Sequence, residues 1–268
     1  MNNFYHQQIP SFQRFDLKHF TDSLEVLRSS ADTLHAQYVS AEPFPHAVID
    51  NLFSPEILNR VLAEFPSQKN RQWQDWDTQY QVKSTSPGLT GLPTFIQLFC
   101  LWLGSAEFTA EISKITGIED IYPDPMYHGA GLHEMFRDGW LDIHADHTKH
   151  YYLPMMRRIN LLIYLNHDWD EDWGGGLELW DYEDHQKRVC YPPHFNRTVI
   201  FPTTDQTLHG VPRPLSCPPN RSRKLVSIYY WTPIPMPFLF KAGTPILWLS
   251  DRKRNLKRGL DKVKMLFQ

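Results

Sequence analysis

Cysteine is scarce in this chain. Only Cys100, Cys190 and Cys217 occur in 268 residues, an odd number without the spacing of a metal knuckle. A disulfide-stapled scaffold is therefore excluded, and reduced thiols in a cytoplasmic setting are expected. Long apolar runs are missing too: no stretch approaches the ~20 residues that cross a bilayer. Met1 to Gln7 carries neither the basic start nor the apolar centre of a signal peptide. A dominant charge sign is absent as well, since 27 Lys and Arg against 30 Asp and Glu leave a net charge of −3. That balance gives no global attraction to nucleic acid or to an anionic membrane, and no such partner is expected. Internal repeats and low-complexity segments are also lacking.

What the chain does have is core material, with 41% hydrophobic and 14% aromatic residues. A chain of this size can bury a full core, and a single domain over 1–268 is expected. Its pieces would be a helical part over about 1–120, a β core over about 121–235, and a basic tail over 236–268.

The most informative motif is His144-Ala145-Asp146 with a later His209 in Thr207-Leu208-His209-Gly210-Val211. Successive side chains on a strand alternate faces, so residues two apart share one. If 140–146 is a strand, His144 and Asp146 reach one ion from one face, and the third ligand arrives from a distant strand. Two imidazoles and a carboxylate are the ligand set of non-haem Fe(II) oxygenases, which hold one face of the metal and leave the other open. With 13 histidines in the chain, the spacing alone is a weak signal.

Downstream, Arg221 to Trp231 is rich in β-branched and aromatic residues and reads as a strand. Arg223, Leu225, Ser227 and Tyr229 share one face; Lys224, Val226, Ile228 and Tyr230 share the other. Arginine grips a carboxylate through a planar fork that matches its two oxygens. 2-Oxoglutarate, whose keto acid end chelates iron, supplies the two electrons needed for O2 activation and has a distal carboxylate that needs a cation. Parity favours Arg223 for that task over Lys224. The plainer reading is that these cations solvate the strand edge.

From about Pro43 to Trp231 the chain resembles the prolyl-4-hydroxylase-like branch of the Fe(II)/2-oxoglutarate dioxygenases. The matching pieces are Pro43 to Asp50, Gly139 to Asp146, Arg158 to Asn166, Trp173 to Trp180, Asn196 to Phe201, His209 to Val211 and Arg223 to Tyr230, in the family's order. The resemblance implies iron ligands at His144, Asp146 and His209, and a 2-oxoglutarate clamp at Arg223. It also implies a hydrogen bond to that co-substrate from Tyr164. Leu225 departs from the small hydroxyl residue usual two places after the arginine, and Ser227 is the nearest substitute. The implied cofactors are Fe(II), 2-oxoglutarate and O2, with ascorbate as a stimulant. The implied reaction is hydroxylation of an unactivated C–H bond with release of succinate and CO2. The Asp146 carboxylate argues against halogenation, because related halogenases keep that position small. A small molecule or a peptide fits as substrate. Two other classes stay open, a non-catalytic jelly-roll binding or sensing module and a cupin-like metalloenzyme that does not use 2-oxoglutarate.

The expected fold is α+β, a double-stranded β-helix (jelly-roll) core with N-terminal helices packed on one sheet. Helices are expected over 16–38, with Asp16 as N-cap, and over 55–65, with Ser54 as N-cap and proline first. Another is expected over 94–116, broken near Gly104-Ser105 and ended by Gly117. Lys69 to Pro87 is polar and reads as a long surface excursion. Strands are expected near 45–49, 131–136, 140–146, 157–166, 176–181, 187–191, 197–201, 207–210 and 223–231. His128, His133, His147 and His150 could form a second metal site, although solvated or hydrogen-bonded histidines are the commoner outcome. The loop 147–156 reads equally as a substrate lid or as ordinary packing. Asp168 to Trp173 reads as a solvated acidic turn, and Arg252 to Lys264 as a basic amphipathic helix that docks by its apolar stripe.

Overall fold

The computed structural model describes residues 18–68, 72–234 and 244–251. Asp16 and the basic stretch 252–264 lie outside the described residues. Four helices come first: α1 (Lys18–Ser40), α2 (Pro55–Ala63), α3 (Thr94–Leu103) and α4 (Ala106–Thr116). The α3–α4 break falls at Gly104-Ser105. Ser105 caps α4 by accepting from the Phe108 amide, and Gly117 ends it in the left-handed region at φ 71. Ser54 stands at the N-cap of α2 but makes no capping bond; its hydroxyl donates instead to Glu56. Among the described residues no single helix is long and apolar enough to cross a membrane.

The strands are β1 (Ala47–Asp50), β2 (Gln74–Asp77), β3 (Gln81–Thr85), β4 (Tyr122–Pro123), β5 (Gly131–Met135), β6 (Trp140–Ala145) and β7 (Met155–Tyr164). They continue with β8 (Leu177–Trp180), β9 (Lys187–Tyr191), β10 (Arg197–Pro202), β11 (Leu208–Val211), β12 (Arg223–Pro233) and β13 (Leu247–Trp248). Hydrogen bonding runs in the order β1-β10-β7-β12-β5-β3-β6-β11-β8-β9. The chain thus deals its strands between two antiparallel walls, β10-β7-β12-β5 and β6-β11-β8-β9. This is the jelly-roll order, and the sheet curls into a half-barrel.

Alternation within the strands decides what each wall faces. In β7, Ile159, Leu161 and Ile163 point outward, and in β12 Val226, Ile228 and Tyr230 do the same. They pack beneath Leu27 and Leu34 of α1, Ile57 and Leu58 of α2, Phe99 of α3 and Phe108 of α4. These side chains are essentially sealed from water, and each stabilises the fold by about 1.5–3 kcal/mol. The opposite parity, Asn160, Leu162, Leu225, Ser227 and Tyr229, faces into the half-barrel.

Two register shifts alter that parity where it matters. Across β11 and β6, His209 sits opposite His144 while Val211 sits opposite Leu141, so β6 holds one extra residue between them. Leu141 and His144, three apart, therefore both face the cavity. A second shift places Trp231 opposite Arg157 directly after Tyr230 opposite Ile159, which turns Arg157 inward as well. The extra residue in β6 crowds its neighbour, since a Cβ on Gly210 would lie 2.7 Å from the Asp142 carbonyl oxygen and 2.9 Å from that of Leu141.

One expectation is corrected. Within the stretch read as a surface excursion, β2 and β3 form a hairpin, and β3 pairs with both β5 and β6, closing the gap between the walls. Of the stretch read as a basic tail, residues 244–251 are described: Leu247 pairs with Ala145 and Trp248 with His144, on the strand that carries the motif. Gly210→Ala is expected to destabilise the protein by ~1–3 kcal/mol through overpacking against β6, read as a lowered urea midpoint at unchanged slope.

Candidate metal and co-substrate site

The cross-strand pairing of β6 and β11 sets the His144 and His209 rings side by side, with centroids 4.5 Å apart. Each ring is oriented from behind. His144 Nδ1 donates to the Asp142 carbonyl at 2.8 Å, and His209 Nδ1 donates to the Thr207 carbonyl at 3.1 Å. With Nδ1 protonated, each Nε2 presents a lone pair. Both lone pairs converge on Asp146, at 3.5 Å from Oδ1 and 3.5 Å from Oδ2 respectively. The three ligating atoms lie within 4.8 Å of one another, and all three residues are buried. Burial, reinforced by His144, pushes the His209 imidazole down to about 3, so it is neutral at physiological pH.

The Asp146 carboxylate is held by two inward residues of β7. Asn160 donates to Oδ2 at 2.8 Å, and Arg157 Nη2 lies 3.0 Å from the same oxygen. Arg157 is braced in turn, through Nε to Asn160 Oδ1 at 3.0 Å and by its guanidinium lying 3.3 Å over the Tyr229 ring. Burial alone would raise the Asp146 carboxyl, but the Arg157 charge holds it well below the usual carboxylate range. The group is an anion with one face left for a cation. This donor set fits a divalent metal with open positions, iron included.

A cavity of about 600 Å³, open to solvent, lies beside the triad. Arg223 lines it, buried, with no acidic partner among the described residues. Its Nε donates to the Gly175 carbonyl at 2.6 Å and its Nη2 to the Tyr164 hydroxyl at 3.2 Å. Gly175, at φ 81, has to be glycine at this place because a Cβ would press within 3.1 Å of Arg223 Cδ. The buried Trp169 ring supports the same corner, so the acidic turn is solvated outside and packed inside. A buried cation without a counter-ion is costly unless an anion completes it. Ser227 lines the cavity too, and among the described residues its buried hydroxyl makes no hydrogen bond of good geometry. These residues fit the distal carboxylate of a 2-oxoacid. Lys224 faces away, paired with Glu134 at 3.0 Å.

Residues 130–231 match the family model described as the 2OG-Fe(II) oxygenase superfamily, a span that contains the triad and Arg223. That span, under half of the chain, is similar to the superfamily. The chain is 30% identical over 131 residues to mouse prolyl 3-hydroxylase OGFOD1, covering 47% of the chain and 22% of the relative. The chain thus spans less than a quarter of that relative's length. Its fold is similar to a Trichoplax adhaerens prolyl hydroxylase solved with a hypoxia inducible factor peptide fragment, at TM-score 0.53 and 14% identity, covering 79% of this chain and 91% of that one. It is also similar to a Pseudomonas putida prolyl-4-hydroxylase, at TM-score 0.52 and 15% identity, covering 78% and 99%.

Several neighbours of the triad were not foreseen from the motif. Arg157 and Asn160 depend on the register shift or on the inward face of β7, and Tyr229, on the expected face of β12, braces Arg157. Lys83 and His133 line the cavity from β3 and β5. Trp248 covers His144 at 5.0 Å between centroids and stacks on Tyr80 at 4.6 Å. Of the loop 147–156, Tyr151 and Tyr152 are exposed while His150 is buried.

A second His-His-Asp group, Asp124, His128 and His150, lies apart from the cavity. Its hydrogen bonds show a structural role. His150 Nδ1 accepts from the Tyr152 and Leu153 amides, so the proton sits on Nε2, which donates to Asp124 Oδ1 at 3.1 Å. The Asp124 oxygens also accept the Met126 and His128 amides, each at 2.8 Å. His150 therefore offers no free lone pair. Exchanging His150 for Ala is expected to cost ~1–3 kcal/mol by orphaning these groups; mass spectrometry of the native protein should find its metal content unchanged.

Proposed function

We propose that this chain is an Fe(II)- and 2-oxoglutarate-dependent hydroxylase. The single observation that carries the reading is one cavity holding both a buried His144-Asp146-His209 triad with converging lone pairs and an unpaired buried Arg223. His144 Nε2, Asp146 and His209 Nε2 hold the metal, and Arg223 receives the distal carboxylate of 2-oxoglutarate, with Tyr164 bracing the guanidinium and Ser227 within the same wall. The loaded site supplies an oxidant for an unactivated C–H bond, with succinate and CO2 as the other products and O2 consumed.

The protein's own contributions are orientation and an apolar wall. The Asp142 and Thr207 carbonyls fix both imidazole tautomers before any metal arrives. Arg157 and Asn160 keep Asp146 ionised and limit its rotation, so that it presents a fixed oxygen. Leu162, Leu177 and Phe201 give one side of the cavity that wall. All three cysteines are free thiols, in keeping with a cytoplasmic location. A peptidyl prolyl group is one candidate substrate, by analogy with the mouse relative, and a free small molecule is another. Ascorbate would serve to keep the iron reduced.

Purified protein should bind one Fe(II) or Mn(II) per chain, and His144→Ala or His209→Ala should lower that affinity at least tenfold. Wild-type protein with iron should convert 2-oxoglutarate to succinate, slowly without substrate. Iron binding with no succinate from any lysate fraction would instead mark a sensing module. Arg223→Ala should raise the apparent 2-oxoglutarate KM by about tenfold to a hundredfold, as expected for loss of a charge-assisted pair. Turnover unaltered at low 2-oxoglutarate would overturn the co-substrate assignment.

A further inference from the structure

Arg223 is not the only cation in the cavity. Lys83 lines it from β3, the strand that joins the two walls, whereas Arg223 and Tyr164 stand on β12 and β7. Strand parity sets Lys83 inward: Gln81 pairs with Leu141 and Thr85 with His133, and Lys83 shares their face midway between. Lys83 is half-buried and makes no hydrogen bond or ion pair among the described residues. Two acids border the cavity, and both are engaged elsewhere. Glu134 is paired with Lys224 and accepts from Ser222, while Asp146 is held by Arg157 and Asn160. His133 cannot serve as a counter-charge either. Its Nε2 donates to the Gly129 carbonyl at 2.7 Å, and burial, then Lys83, push the imidazole down to about 3. The Lys83 ammonium is itself pushed down to about 8 by burial and by Arg223 and Arg157, with Asp146 opposing, and so is mostly charged at pH 7.

A charge in this position, with no partner and an open cavity before it, is a recognition element. We propose that Lys83 anchors an anionic substituent of the primary substrate, so that this enzyme takes a carboxylate- or phosphate-bearing molecule. The inference rests on the oxygenase reading above, in which Arg223 already has its anion in 2-oxoglutarate. A neutral prolyl ring inside a peptide offers Lys83 nothing. A small acid, or a residue beside an acidic side chain or a phosphate, does.

The test uses the full chain loaded with Mn(II) and N-oxalylglycine, a 2-oxoglutarate mimic that does not turn over. Butyrate, methyl phosphate and the neutral match butyramide are titrated by calorimetry or ligand-observed NMR. Wild type should bind at least one of the two anions in a saturable way, at least tenfold more tightly than butyramide. Lys83→Met should abolish that preference, Lys83→Arg should restore most of it, and N-oxalylglycine affinity should change less than threefold in both. The stronger of butyrate and methyl phosphate identifies the source of the charge. Equal binding of anion and amide by wild type, or a preference that survives in Lys83→Met, overturns the inference and leaves the oxygenase reading intact. A Lys83→Met variant that loses N-oxalylglycine instead reassigns Lys83 to the co-substrate. Failure of wild type to bind N-oxalylglycine at all overturns the oxygenase reading together with this one.

Discussion

The hydrogen-bonded register between β6 and β11 is the constraint on which the site depends. It sets His144 opposite His209, so two imidazoles distant in sequence become neighbours through backbone pairing alone. A slip of one residue would turn either ring to the far face, because strand parity has a period of two. The bulge in β6 and the missing side chain at Gly210 are the means by which that register is locked: the Asp142 carbonyl occupies the space a Cβ would need. The same carbonyl accepts the His144 Nδ1 proton, so a single peptide group fixes both strand alignment and imidazole tautomer.

Much of the fold was legible in the residues. The run Arg223 to Trp231 shows its alternation openly, and the structure keeps Arg223, Leu225, Ser227 and Tyr229 on the cavity face as that alternation implies. The strands from 131 to 231 fall within a residue or two of their expected places, since β-branched and aromatic runs between Gly, Pro, Asn and Asp are strong signals. The helix break at Gly104-Ser105 was legible for a similar reason, a cap residue directly after a glycine.

What escaped did so for physical reasons. Gln81 to Thr85 reads as loop because the inward side of β3 faces a polar site and not an oily core, which removes the apolar half of the alternation. Arg157 escaped because parity counting breaks at the β7 bulge; counted from Ile159 it belongs among the outward residues. Trp248 lies beyond a proline-rich stretch, and no local pattern tells which strand a returning segment will join. For the site, the triad and Arg223 were singled out by strand parity together with the family resemblance. The groups around them, Asn160 and Arg157, depend on three-dimensional register.

The buried guanidinium of Arg223 bears on more than recognition. A cation held in a dry wall raises the free energy of the ligand-free folded chain, and an anion that neutralises it binds only the folded form. On the proposed reading the co-substrate would also be a folding ligand, adding ~2.7 kcal/mol when present at a hundred times its dissociation constant. For a protein of ordinary marginal stability, that increment lowers the unfolded population about a hundredfold. On the proposed reading, the lifetime of this chain in a cell would follow the supply of a central carbon metabolite, coupling protein abundance to metabolic state through Arg223.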